Sequence, residues 1–266
     1  MSSEPACRQT SSALSVQSNV SEVKCQKLKI MDLIVLSLAP VFIIAGYIYF
    51  RDKYEKEPIR LLLKALLFGA LTVIPITFLE SFLSSFSHLF TGLGTAAWNA
   101  FVVAAFSEEL FKYIALYLLI WKSKEFNDKF DGIVYAVYIS LGFAAVENIL
   151  YVTGNGHFTG IMRAITAVPA HAIFGVTMGF YFGMAKFYEK QRKLLKMKAL
   201  IYPIILHGIY NFILFTGIEW LTIVFLAFLL FLYFSGLKRI KELSDQSIYK
   251  TDYNLLNEKF GQNNQG

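Results

Sequence analysis

Residues 106–113 read FSEELFKY, and two adjacent carboxylates, Glu108 and Glu109, fall inside a stretch otherwise apolar enough to lie in lipid. A charge at the centre of a spanning helix costs at least ~2.5–3.5 kcal/mol. Two together ask for a chemical reason, and other ionisable groups lie in similar surroundings. Lys112 follows one turn later, Glu147 and Asn148 sit in GFAAVEN, His171 in VPAHAIFG, and His207 and Asn211 in LHGIYN. No Ser-His-Asp order, GxSxG turn or HExxH helix accompanies them. Three chemistries stay open. A glutamate could activate water against a peptide carbonyl, with His and Asn stabilising the oxyanion. Alternatively, a set drawn from Glu109, Glu147, His171 and His207 could hold zinc, whose bound water is the nucleophile. In a third reading, a chain of buried Glu and His relays protons in a coupled transporter.

The elements that must position these groups are membrane spans. Of the 266 residues, 56% are hydrophobic and 17% charged, against about 25% charged in soluble domains. The mean hydropathy is +0.50. Spanning takes roughly 20 mainly apolar residues, and seven stretches qualify: 32–50, 61–82, 97–121, 131–152, 161–187, 199–217 and 219–235. The expected fold is therefore an all-α polytopic bundle of seven spans, or eight. Residues 1–31 read as a disordered polar tail, 32–235 as the membrane domain and 236–266 as a cytoplasmic tail. Cys7 and Cys25 lie in that first tail and supply neither a disulfide framework nor a CxxC pair.

Charge alternates between the connections. Residues 51–60, 122–130 and 186–198 are rich in Lys and Arg, as is the flank with Lys238, Arg239 and Lys241, whereas 83–96 and 153–160 have neither. Basic loops stay in the cytoplasm; the net charge of +6 reports orientation and not nucleic-acid binding. Lys24, Lys27 and Lys29 run against that assignment, but the other loops agree.

At ~1.5 Å of rise per residue, Glu108 and Glu109 lie roughly 16–18 Å from the outer end of their span, His171 and His207 roughly 15 Å, and Asn211 and Glu147 roughly 8–9 Å. These groups occupy one outer-to-middle layer, which predicts a single polar cavity. Glu108 and Lys112 are i,i+4, as are His207 and Asn211, so each pair shares a helix face. Lys112 alone is not expected to satisfy both carboxylates. Pro203 is expected to kink its helix near His207. The Gly175, Gly179 and Gly183 ladder reads as close helix packing. Glu80, Arg163 and Lys64 read as groups that snorkel or cap near span ends.

Together, EELFK (108–112), DGIVYAVYISLGFAAVEN (131–148), RAITAVPAHAIFG (163–175), HGIYN (207–211) and the loop YEKEP (54–58) resemble the PrsW family of intramembrane proteases, itself related to the CAAX prenyl protease and Abi group. The resemblance covers roughly residues 32–235. It implies a multi-pass enzyme of the cell membrane that cuts a single-span protein, such as an anti-sigma factor, near its extracytoplasmic side. It also implies that Glu108, Glu109, Glu147, His171 and His207 are the catalytic set, with Asn211 and Lys112 as supports. A CAAX-type endopeptidase is the alternative within the wider group, where His would be expected at position 147. Zinc is left open by the sequence.

Overall fold

The computed structural model describes the backbone of residues 15–251 and the side chains from residue 31 onward. Among these residues every element is helical. In chain order they are α1 (Ser15–Arg51), α2 (Ile59–Ser84), α3 (Leu93–Ala97), a π-helix (Trp98–Phe106), α4 (Ser107–Ile120), α5 (Lys129–Ile165), α6 (Ala167–Phe187), α7 (Arg192–Phe215) and α8 (Leu221–Asp245). Single 3-10 turns occupy Ser87–Leu89 and Glu189–Gln191. The helix of α1 begins inside the stretch read as a polar tail, whose residues 1–14 lie outside the described part, and α8 runs on past 235.

Among the described residues, five helical stretches are long and apolar enough to cross a membrane: Met31–Arg51, Ile59–Leu89, Lys129–Phe187, Glu189–Phe215 and Leu221–Asp245. The third is 59 residues long and holds both α5 and α6. The stretch expected over 97–121 is helical too, but divided among α3, the π-helix and α4. The outward faces are apolar, with Phe42, Phe78, Phe82, Ile223 and Phe234 all more than 60% exposed. Exposure of that extent in a soluble chain would mark a binding surface; on helices of this length it marks the face turned to lipid.

α5 is the central helix. Every residue from Phe130 to Ala144 is buried, on all sides of the helix, as expected of an element hydrophobic all round. Its start is fixed by Asp128, whose side chain accepts from Phe130 N, while Asp131 accepts from Asp128 N at 2.6 Å. This reciprocal cap satisfies backbone donors that the first turn leaves over. α1, α2, α4 and α6 pack around it. Since lipid tails are as apolar as leucine, close approach and not apolar burial must hold such helices together. The glycine ladder supplies it as expected. A Cβ on Gly179 would collide with the Gly132 carbonyl and with Ile133 Cα of α5.

The loop between α1 and α2 is tied to the start of α5. Asp52 accepts from Glu57 N at 3.1 Å, Asn127 donates to Glu55 at 3.0 Å, and the Tyr135 hydroxyl donates to the Glu57 carboxyl. YEKEP thus has a structural place at the basic end of the bundle. Burial pushes the Asp52 carboxyl up to about 6 and that of Glu57 up to about 7.

One feature differs from the sequence expectation. The stretch 153–160 is not an open loop: α5 continues to Ile165 with one break at Gly156, where φ is 81°, a left-handed backbone that glycine adopts readily. α7 passes through Pro203 without interruption. The turn preceding a proline tolerates the lost donor in a membrane helix when neighbours re-satisfy the freed carbonyl.

Candidate active site

The π-helix leads directly into the two carboxylates. Its i→i+5 bonding is rare and is frequently found at functional sites. Phe101 of this segment lies over Gly208 of α7, where a Cβ would collide with its ring. The wide helix and the bare backbone together bring the helix carrying Glu108 and Glu109 close to the helix carrying His207.

At that meeting point Glu108, Glu109, His171 and His207 are all buried. One ligand atom from each lies within 4.8 Å of those of the other three. Lys112, fully buried, sits among them. Its ammonium donates to Glu108 Oε2 at 3.0 Å and Glu109 Oε1 at 2.9 Å, and lies 3.2 Å from His171 Nδ1. One lysine does bridge both carboxylates, contrary to the sequence expectation, because i+3 and i+4 positions converge on one helix face. Glu109 Oε2 remains buried without a partner.

Each imidazole is held from behind. His207 Nδ1 lies 3.0 Å from Glu109 Oε1, while Asn211 Nδ2 lies 3.0 Å from His207 Nε2. The amide donates to Nε2, so the ring proton sits on Nδ1 and points to Glu109. Phe174 stacks on the same ring, with centroids 4.8 Å apart. For His171 the lysine donates to Nδ1, so Nε2–H donates to Glu147 Oε2 at 2.9 Å. Glu147 therefore stands behind His171 and not among the four converging groups; the expected set of Glu109, Glu147, His171 and His207 has Glu108 in its place. A carboxylate behind an imidazole fixes the ring's orientation and raises its basicity.

Arg163 was expected to cap a helix end. Instead it donates to Glu147 Oε2 at 2.7 Å and to Asn148 Oδ1 at 2.8 Å, with its guanidinium 4.1 Å over the Tyr151 ring. The continued helix beyond Gly156 folds it back onto Glu147. A sequence signal existed, since Arg163 is the lone cation between Lys129 and Lys186. Asn148 also donates to the Ser37 carbonyl of α1 at 2.9 Å.

The groups open onto a cavity of about 490 Å³, within the usual size of a ligand pocket. Glu108, Glu147, His171, His207 and Asn211 line it, whereas Glu109 lies behind. Its remaining wall is mainly apolar, from α2, α5, α6, α7 and α8. Glu80 also lines it, contrary to the expectation that it snorkels away.

Carboxylates and imidazoles converging beneath an intramembrane cavity define a class: a multi-pass helical membrane protein built for hydrolytic or metal-assisted chemistry. The comparisons with known proteins give the family. The model of the PrsW family of intramembrane metalloproteases matches residues 57–237. The chain is 39% identical over 211 residues to the protease PrsW of Geobacillus kaustophilus, covering 79% of this chain and 92% of that one. It is 37% identical over 221 residues to that of Oceanobacillus iheyensis (82% and 99%). For the protein of the same name in Bacillus subtilis the identity is 36% over 211 residues (79% and 94%). No solved structure matches significantly. The chain belongs to the PrsW family of intramembrane metalloproteases and is a peptidase, which decides against the transporter reading.

Proposed function

We propose that the Glu108–Glu109–His171–His207 cluster is the hydrolytic centre of this peptidase. On this reading it cuts a single-span protein of the cell membrane within the half of the bilayer away from the basic loops. The observation that carries the reading is the convergence of four ligand atoms within 4.8 Å beneath a cavity able to admit a stretch of chain. The seven apolar stretches then cross the membrane in turn, with the basic loops and the stretch from 236 onward in the cytoplasm, and an anti-sigma factor is one substrate of the required form.

The donor set suits zinc, which binds imidazole nitrogen and carboxylate oxygen, and the unpartnered Glu109 Oε2 fits a further ligand. His171, His207 and Glu109 would hold the ion once His207 Nδ1 gives up its proton and Lys112 its contact with His171 Nδ1. When bound, it would polarise a water or the scissile carbonyl.

The residues supply the rest. Glu108 faces the cavity and takes a proton from the attacking water as its oxygen bonds to the carbonyl carbon. It then gives that proton to the amide nitrogen as the C–N bond breaks. The Asn211 amide, also lining the cavity, donates toward the oxyanion. Glu147 and Arg163 orient His171, and Lys112 balances the paired carboxylates.

The test is cleavage of a panel of single-span substrates by purified protein in liposomes. Wild type is compared with Glu108→Gln and His207→Ala, with chelator and with zinc restored. The reading expects cleavage lost in both variants, lost on chelation and regained with zinc. Cleavage that survives both substitutions would overturn the assigned centre; cleavage indifferent to chelation would overturn the metal alone.

A further inference from the structure

Glu80 lies in the last turns of α2, on a face that also presents Val73, Ile76 and Thr77 to the cavity. These positions follow the i, i+3, i+4, i+7 spacing of one helical stripe, so the carboxylate is aimed inward and not at lipid. It is half-buried, and among the described residues it makes no hydrogen bond or ion pair.

Every other carboxylate facing the cavity is accounted for. Glu108 is engaged with Lys112, and Glu147 with Arg163 and His171. The charged groups felt by Glu80 are Glu108, Glu147 and Lys112, and that lysine is already shared between Glu108 and Glu109. Among the described residues the cations around the cavity are thus already engaged, leaving a carboxyl at the rim with no cation beside it. An ionisable side chain within a membrane segment is costly to charge alone, so an unpartnered one aimed into a cavity points to a cation brought by a functional partner.

We propose that Glu80 is a specificity determinant: it receives a Lys or Arg side chain that the substrate carries just outside the bond to be cut. The inference rests on the reading of the cluster as the hydrolytic centre. A basic residue there is informative, because single-span proteins carry their Lys and Arg preferentially on the cytoplasmic flank. A carboxylate at the outer rim therefore selects a minority of membrane proteins, and like charges in the cavity repel acidic flanks.

The experiment uses the full-length protein in nanodiscs and one single-span substrate whose outer flank carries Lys, Gln or Glu. Two quantities are measured: kcat/KM, and peptide affinity by fluorescence anisotropy in a Glu108→Gln background, which holds substrate without turnover. Wild type should favour the Lys flank over Gln by about tenfold in both. Glu80→Gln should bring that ratio near one, and Glu80→Lys should invert it toward the Glu flank, which mere misfolding would not do. Equal ratios in wild type and Glu80→Gln, in either readout, would overturn the proposal. Should wild type cleave nothing, the hydrolytic reading falls on that result, while the affinity ratios still decide the role of Glu80.

Discussion

Lys112 and the two carboxylates it bridges, at 3.0 and 2.9 Å, form a buried ion triad. Removing one partner of such a group leaves uncompensated charge, at a cost of ~3–5 kcal/mol. Lys112→Met should therefore lower the melting temperature in detergent sharply, and adding Glu108→Gln should restore part of the loss. Unchanged melting would mean the triad is not formed. Glu108→Gln alone is a chemical change, expected to reduce kcat by ~10²–10⁴ with little effect on KM. Steady-state kinetics would check this, and a change confined to KM would assign Glu108 to binding instead. At this scale the sequence was highly legible. Buried charge within apolar runs named Glu108, Glu109, His171 and His207 without any structure. Glu80 and Arg163 escaped because one-dimensional depth places a residue near a helix end without saying which way the side chain turns.

Among the elements, the all-helical character and five long apolar stretches followed from apolar length, and the helix packing from the glycine ladder. Gly179→Val should break the α5–α6 contact. The added carbons meet backbone and not a mobile side chain, so the loss should exceed the ~1–3 kcal/mol of ordinary overpacking. Differential scanning fluorimetry in detergent reads it; wild-type melting would refute the packing described. Two elements were not legible. The π-helix over Trp98–Phe106 has a composition that would suit an α-helix, and its wider winding goes with the seating of Phe101 on Gly208, a long-range contact. The continued helix after Gly156 was hidden because absence of Lys and Arg identifies an outer connection but not its conformation.

For the whole molecule, the basic end and the cavity end differ in kind. At the basic end, Asp52 and Glu57 would titrate near 3.8 and 4.5 unfolded, whereas burial raises them to about 6 and about 7 in the fold. Between those limits the folded state binds more protons than the unfolded one. Their contribution to stability is therefore largest below about pH 4 and is lost as pH rises through about 7. Melting temperature in detergent should fall over that window, and Glu57→Gln should flatten the fall. A profile unchanged by Glu57→Gln would place the titrating group elsewhere.

The ammonium of Lys112 within the cluster has a consequence for how the molecule is made. Many metal sites are collections of like-charged ligands that hold together only once the ion arrives, so folding and loading are one event. Here an internal cation already neutralises part of the ligand set. On the zinc reading, the chain can insert and reach its final shape while empty, then wait in the bilayer for its ion. Chelation should silence cleavage and lower the melting temperature only by the mass-action contribution of the bound ion, leaving a cooperative unfolding transition, and readdition of zinc should revive activity without a refolding lag. Maturation of the enzyme would then be governed by metal supply at the membrane, separately from its synthesis.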